Sequence, residues 1–288
     1  MKNLHSLFQM IAFIPLVSLA DTSIDSVSID KYLHVMRVTS DKGNTTSVAL
    51  IKDGSTLLID PNFNKTSDLI KTKLAQLGSN RVTHITSTHE HMDHIEQYPE
   101  FNAHAQVIVP INQIKSIDKL GVNFDIAFTG ELVLKIADQP VKLQTLPNMS
   151  GHTGGDQVVY FSKQNTLYVG DYLFAKGYPI IDQRTGDLAG YLNNIVYLTQ
   201  NYPANTLVIP GHSSFAPDPV KLFTISDLLQ FAERLSSTVT FIKEQKNRGQ
   251  DLETIVKKGL PTEFRDLNKG MKFVSEERWI KYVFGSLM

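Results

Sequence analysis

From residue 30 onward the apolar residues come in short runs separated by turn residues, a spacing that favours strands over long helices. The runs "YLHVMRVT" (32–39), "TSVALIK" (46–52) and "STLLID" (55–60) are separated by "DKGN" and "DG", which read as hairpin connections, so a meander of strands is expected first. In "SDLIKTKLAQLG" (67–78) the period lengthens. Ile70, Leu74 and Leu77 share one helical face, with Ser67 as the expected N-cap and Gly78 as the stop. "VTHITST" (82–88) returns as a strand, and further strands are expected at 105–110, 131–136, 141–147, 157–162, 166–171 and 206–211. Helices are expected over 190–202 and over most of 219–248, where Leu222, Leu229, Phe231, Leu235 and Ile242 supply an apolar stripe. Residues 250–288 read as short terminal helices capped by Asp251 and Ser275, with no chemistry of their own. Two blocks of strands, each followed by helix, predict an α/β fold of the αββα sandwich type: two mixed β-sheets packed face to face with helices on the outside.

The first twenty residues change this picture. "MKNLHSLFQMIAFIPLVSLA" carries Lys2, an apolar stretch from Leu7 to Leu19 and the ending Ser18-Leu19-Ala20, followed at once by "DTSIDS". That order reads as a secretory signal peptide, and the stretch falls short of the roughly 20 apolar residues that a bilayer span needs. The expected organisation is therefore a signal at 1–20 and one domain over 21–288, with a core at about 30–215 and a helical portion at 219–288. The mature protein would be periplasmic or secreted, without an integral membrane span. Lys and Arg number 28 against 29 Asp and Glu. No basic cluster with interleaved aromatics is present, so a small molecule is the expected partner rather than nucleic acid. Cysteine is absent. Any metal must then be held by nitrogen and oxygen, and no thiolate serves as nucleophile.

The densest chemistry lies in "STHEHMDHIE" (87–96), which holds three of the nine histidines. His89 and His91, two apart on extended chain, project to the same side. A turn into helix near Asp93 would carry that carboxylate and His94 to a second point close by. Surface or capping histidines would explain the run equally well were it alone. A metal site needs more imidazoles or carboxylates at strand ends, and the chain supplies them: His152 in the glycine-rich "SGHTGGD", Asp171 in "YVGDYLF" and His212 in "VIPGHSS".

Taken together, "LLIDPN", "THEHMDH", "GHTGGD", "VGDYLF" and "PGHSS" resemble, in order, the motifs of the metallo-beta-lactamase superfamily of binuclear hydrolases. The pattern is most similar to its exported cyclase-like or SoxH-like members. The resemblance implies that His89, His91 and His152 hold one divalent ion, that Asp93, His94 and His212 hold a second, and that Asp171 bridges them. Asp60 is implied as a buttress through hydrogen bonds. Zinc is the expected metal, with iron or manganese as alternatives because no thiolate discriminates. Two such ions would hold a shared hydroxide against an ester, thioester, lactone or amide-type bond, with Asp93 as acid and base. His34, His84 and His104 match no motif.

Dedicated beta-lactamases of the superfamily generally place Cys or Ser where this chain has Asp171, so beta-lactam hydrolysis is the alternative reading. A non-catalytic periplasmic metal-binding protein is another. Substrate contacts are expected from Pro61 to Lys65, from "NMSGHTGG" and from "AKGYPIIDQRTGD". Tyr172 and Tyr178 are candidate oxyanion donors, though either could be packing. Phe63, Phe174 and Ile180 are candidate apolar walls.

Overall fold

The computed structural model describes residues 22–41, 43–174, 177–212, 218–268 and 273–287, so the expected signal peptide at 1–20 lies outside the described residues. Seven strands form the first sheet in sequence order: β1 (Ser23–Ser28), β2 (Leu33–Ser40), β3 (Gly43–Lys52), β4 (Ser55–Ile59), β5 (His84–Thr86), β6 (Gln106–Pro110) and β7 (Ile126–Phe128). β1 to β4 are antiparallel neighbours, and β4 to β7 run parallel. The β3–β4 hairpin turns at Asp53 and Gly54, both at positive φ (49° and 76°), as a two-residue turn matched to strand twist requires. The parallel half needs crossovers. These are α1 (Ser67–Gln76), then α2 (Met92–Ile95) and α3 (Tyr98–Phe101), then α4 (Ile114–Asp118).

The second sheet has the order β13-β12-β11-β10-β9-β8, with β8 (Glu131–Ile136), β9 (Gln139–Thr145), β10 (Gln157–Phe161), β11 (Thr166–Tyr168), β12 (Leu207–Ile209) and β13 (Phe223–Thr224). Its one parallel pair, β11 with β12, is joined through α5 (Leu188–Asn201). The chain ends in α6 (Ile225–Asn247), α7 (Leu252–Lys258) and α8 (Glu276–Ser286).

Strand alternation divides the apolar residues into three layers. Val48 and Leu50 of β3 face Val141, Leu143, Val159, Phe161 and Ile209 of the opposite sheet. Their neighbours Ala49 and Ile51 turn outward with Met36 and Leu58 against Ile70 and Leu74 of α1. On the far side, Val158, Leu167 and Val208 meet Tyr191, Ile195 and Leu198 of α5 and the helices beyond. Each fully buried aliphatic side chain contributes about 1.5–3 kcal/mol, so all three layers are needed to hold the stack. The expected two mixed sheets with helices outside are what the chain forms.

Local boundaries differ where side-chain bonding outweighs pattern. The N-cap of α1 is Thr66 rather than Ser67, and the Thr66 hydroxyl turns back to Phe63 O (2.5 Å). α6 starts at 225 rather than 219 because Phe223 and Thr224 pair with β12, and because Thr224 and Asp227 close a capping box worth about 1 kcal/mol. Leu229 lies on the open face of α6 at 40% exposure, and Leu228 takes the buried place. Asp251 and Ser275 cap α7 and α8 as expected. Trp279 of α8 is fully buried and donates to Thr238 Oγ1 of α6 (2.9 Å), which fixes the terminal helices to the second sheet's outer layer.

Candidate metal centre

Topology decides where the chemistry gathers. β4 and β5 are parallel, and so are β11 and β12, while β9 runs the same way as β11 because each is antiparallel to β10. The carboxyl ends of these strands therefore deliver Asp60, the 89–94 segment, the 146–156 loop, Asp171 and His212 to one edge of the sandwich. The two sheets are cross-tied there: Thr46 N donates to Gly211 O (2.8 Å), and the Gln157 side-chain amide reaches Ser87 O (2.6 Å) and Thr86 Oγ1 (2.8 Å).

At that edge two groups of ligating atoms form. His89, His91, His152 and Asp171 make one, and Asp93, His94 and His212 the other, with the atoms of each group within 4.8 Å of one another. His152 Nε2 lies 3.2 Å from His89 Nε2 and 3.0 Å from His91 Nδ1. His94 Nε2 lies 3.5 Å from His212 Nε2. Asp171 sits between the groups. Its Oδ2 is 3.1 Å from His212 Nε2 and 3.3 Å from His152 Nε2, and its Oδ1 is 3.4 Å from His94 Nε2. Asp171 Oδ1 is buried with no hydrogen-bond partner among the described residues. Converging lone pairs and a buried carboxylate oxygen without a partner are what a pair of cations would fit. All but two of these side chains are buried; His91 (24% exposed) and Asp93 (41%) face the mouth.

The outer nitrogens set the tautomers. His152 Nδ1 donates to Ile180 O (2.7 Å), His212 Nδ1 to Asn44 O, and His89 Nδ1 to Thr88 Oγ1 (3.0 Å). His94 Nδ1 meets Asp60 Oδ2 at 2.8 Å. Asp60 also accepts from Thr88 N (2.6 Å), Thr88 Oγ1 (2.8 Å) and the Tyr168 hydroxyl (2.5 Å). Its backbone is held at φ 56°, a conformation costing about 1–3 kcal/mol that persists only where neighbours over-determine it. Asp60 thus meets His94, Thr88 and Tyr168 through hydrogen bonds, the contacts that a buttress would use. Tyr168 and Thr88 complete it, and neither carries a sequence signal beyond lying at the end of a strand.

Electrostatics divides the two groups. Burial, with His94 and His152 beside it, drives His89 well below the usual histidine range, and burial drives His152 down to about 3. Burial also works against charge on His94 and His212. There the carboxylates win: Asp60, Asp93 and Asp171 hold His94 well above the usual range, and Asp171 and Asp93 raise His212. Burial would push Asp171 up, but His212, His94, His152 and His89 outweigh it and hold the carboxyl well below its ordinary value.

Two glycines make the geometry possible. A Cβ on Gly211 would lie 2.1 Å from Asp171 Oδ1, and one on Gly170, at φ 54°, would lie 2.6 Å from Thr88 Oγ1.

The tyrosines depart from expectation. The Tyr172 hydroxyl donates to Asp156 Oδ2 (2.6 Å) and accepts from Asn194 Nδ2 (2.9 Å) and from His152 N (3.3 Å). It braces the His152 loop against α5 and has no hydrogen left for an oxyanion. Tyr178 stacks on Trp279 (5.5 Å between centroids) and is fully buried, its hydroxyl without a hydrogen-bond partner among the described residues. Phe174 does lie at the site, 5.5 Å from the His212 ring, and Ile180 contributes its carbonyl. Phe63 packs instead in the layer under the first sheet. Phe273, in the tail expected to carry no chemistry, packs edge-on against His212 at 5.1 Å. His34 is buried against Ser28, His84 bonds Thr83, and neither they nor His104 join the cluster.

Residues 41–212 match the metallo-beta-lactamase superfamily. Among curated proteins, the chain is 25% identical over 177 residues to a hydroxyacylglutathione hydrolase of Rhodospirillum rubrum, covering 60% of this chain and 62% of that one. It is 28% identical over 143 residues to the hydroxyacylglutathione hydrolase of Rhizobium etli, covering 46% and 48%. The chain thus spans about half to three fifths of the length of these two relatives. Among solved structures, the metallo-beta-lactamase IND-7 superposes with a TM-score of 0.61 at 19% identity, over 74% of this chain and 98% of that one. ETHE1 from Myxococcus xanthus gives 0.54 at 18%, over 67% and 80%. With the match spanning more than half of its residues, the chain belongs to the metallo-beta-lactamase superfamily.

Proposed function

We propose that this protein is an exported binuclear metal-dependent hydrolase of small acyl compounds, acting on an ester, thioester or lactone bond. The observation that carries this reading is Asp171: fully buried, with one oxygen toward His94 and the other toward His152 and His212. His89, His91 and His152 would hold one divalent ion and Asp93, His94 and His212 the other, zinc suiting the nitrogen and oxygen donors best. Bound there, two ions supply an acidified water and polarise an acyl oxygen.

The chain's own residues do the rest. Asp93 is half-exposed at the mouth and accepts from Thr45 Oγ1 (3.2 Å). Although burial works against its charge, His94 and His212 hold the carboxyl below its ordinary value, so it is ionised at neutral pH; with Oδ2 toward His94 and His212, its other oxygen would take the proton from water. Delivered to the leaving group on the same open side, that proton completes hydrolysis. Phe174 and Phe273 flank His212 and would give the site an apolar wall on that side. Relatives named for hydroxyacylglutathione, a thioester, support an acyl substrate. Beta-lactam hydrolysis is the second reading, favoured only by the fold shared with metallo-beta-lactamases. Among the described residues no helix is long and apolar enough to cross a membrane. Export rests on residues 1–20, and N-terminal sequencing of the secreted protein should begin at Asp21.

The deciding experiment pairs chelator-reversible turnover with a panel of thioester, aryl ester, lactone and cephalosporin substrates. Chelator-sensitive hydrolysis of the acyl esters, with the cephalosporin largely untouched, is expected. Cephalosporin turnover exceeding the others would replace this reading with the second, and metal uptake without any turnover would replace it with a binding protein.

A further inference from the structure

Of the five histidines at the centre, four have the outer ring nitrogen engaged at hydrogen-bond distance by Asn44 O, Ile180 O, Thr88 Oγ1 or Asp60 Oδ2. His91 is the exception. Its Nδ1 points inward, 3.0 Å from His152 Nε2, so its Nε2 is the outer nitrogen, and the carboxylate facing that atom is Asp182, with Oδ2 at 3.7 Å. His91 is also the most exposed of the five; its ring meets His89 and His152 edge-on (4.8 and 4.6 Å between centroids) on the inner side only.

Asp182 is itself rigid. Its Oδ1 accepts from Arg184 N (2.9 Å), Thr185 N (2.9 Å) and Thr185 Oγ1 (3.0 Å), which closes a tight turn, while Oδ2 faces His91 Nε2 at 3.7 Å and the solvent-exposed Arg184 guanidinium at 3.5 Å. The same loop clasps His152 from two sides. Asp182 N donates to His152 O (2.9 Å), and Ile180 O accepts from His152 Nδ1.

We propose that Asp182 is a positioning residue for the first metal: it holds the His91 imidazole with Nε2 protonated and Nδ1 turned to the ion, directly or through one water across the 3.7 Å gap. The inference rests on the binuclear reading above. It assigns the loop after the bridging acid a metal-tuning role in place of substrate contact alone.

Asp182→Asn separates that role from the turn. Asparagine keeps an oxygen for the Arg184 and Thr185 amides but turns an amide NH2 toward the His91 N–H, whereas Asp182→Ala removes both. Zinc affinity is read by competition with a chromophoric chelator, alongside the melting temperature of the metal-free proteins. The expected result is that Asp182→Asn weakens one of two zinc equivalents by about 10- to 100-fold, leaves the other within about twofold, and melts with the metal-free wild type. Wild type binding two equivalents and Asp182→Asn binding them equally well would overturn this inference alone. So would an affinity loss that appears only together with a lowered apo melting temperature, which would leave Asp182 as a loop brace. A wild type that takes up no zinc would overturn the binuclear reading and this inference with it.

Discussion

The two imidazole groups on either side of Asp171 have similar numbers of donors and opposite electrostatics. Around His89 and His152 the outer partners are a hydroxyl and a peptide carbonyl, and burial keeps both rings neutral and ready to donate lone pairs. Around His94 and His212 three carboxylates, Asp60, Asp93 and Asp171, raise the affinity for a proton and equally for any cation. One half is preorganised by removing water and the other by concentrating negative charge. On the binuclear reading, the first group would hold an ion with little competition from protons, and the second would give up its ion to protons at higher pH.

The most severe way to break this contrast is to neutralise the residue both halves share. Asp171→Asn should lower kcat/KM on the order of 10³-fold, the several kcal/mol that a metal pair supplies, and should reduce metal content at both positions. Asp60→Asn should act on one half only. By replacing the charge behind His94 it should weaken the second equivalent by about 10- to 100-fold and leave the first, as competition with a chelator would show. Acidification sharpens the same distinction without mutation. A histidine whose pKa is raised takes up its proton at higher pH, so metal must compete with protons earlier at His94 and His212 than at His89 and His152, whose values are lowered. Elemental analysis across a descending pH series should show two equivalents falling to one before falling to none. The smallest effect belongs to Tyr172→Phe. Leaving Asp156 and Asn194 with an unmet partner should cost about 1–3 kcal/mol in denaturant unfolding. kcat of the metal-loaded enzyme should remain within about twofold, the reverse of what an oxyanion donor would give.

What the sequence displayed and what it concealed follow from the same physics. The candidate ligands were legible because four sit in the six residues of "HEHMDH" and the other three each follow a glycine, a local signature of chain that must pass close to its neighbours. The sandwich was legible in the alternation that places Val48 and Leu50 inward and Ala49 and Ile51 outward. β1, with two apolar residues in "SIDSVS", and the two-residue β13 were not, because edge strands carry little burial to imprint a pattern. The supports of the site were hidden for another reason. Tyr168 lies 108 positions from Asp60, Asp182 lies 91 from His91, and Phe273 lies 61 from His212, so only the folded chain pairs them. Tyr172 and Tyr178 illustrate the cost of adjacency in sequence: one residue past Asp171, the chain has already turned into the α5 layer, where a tyrosine serves packing and bracing.

The central claim is that Asp171 joins two cation sites rather than serving one, and the most direct measurement is the metal stoichiometry of the mature wild-type protein after reconstitution with zinc at neutral pH. Two equivalents per chain, falling to at most one in Asp171→Asn, is the predicted result. A single equivalent in the wild type, unchanged by that substitution, would contradict it.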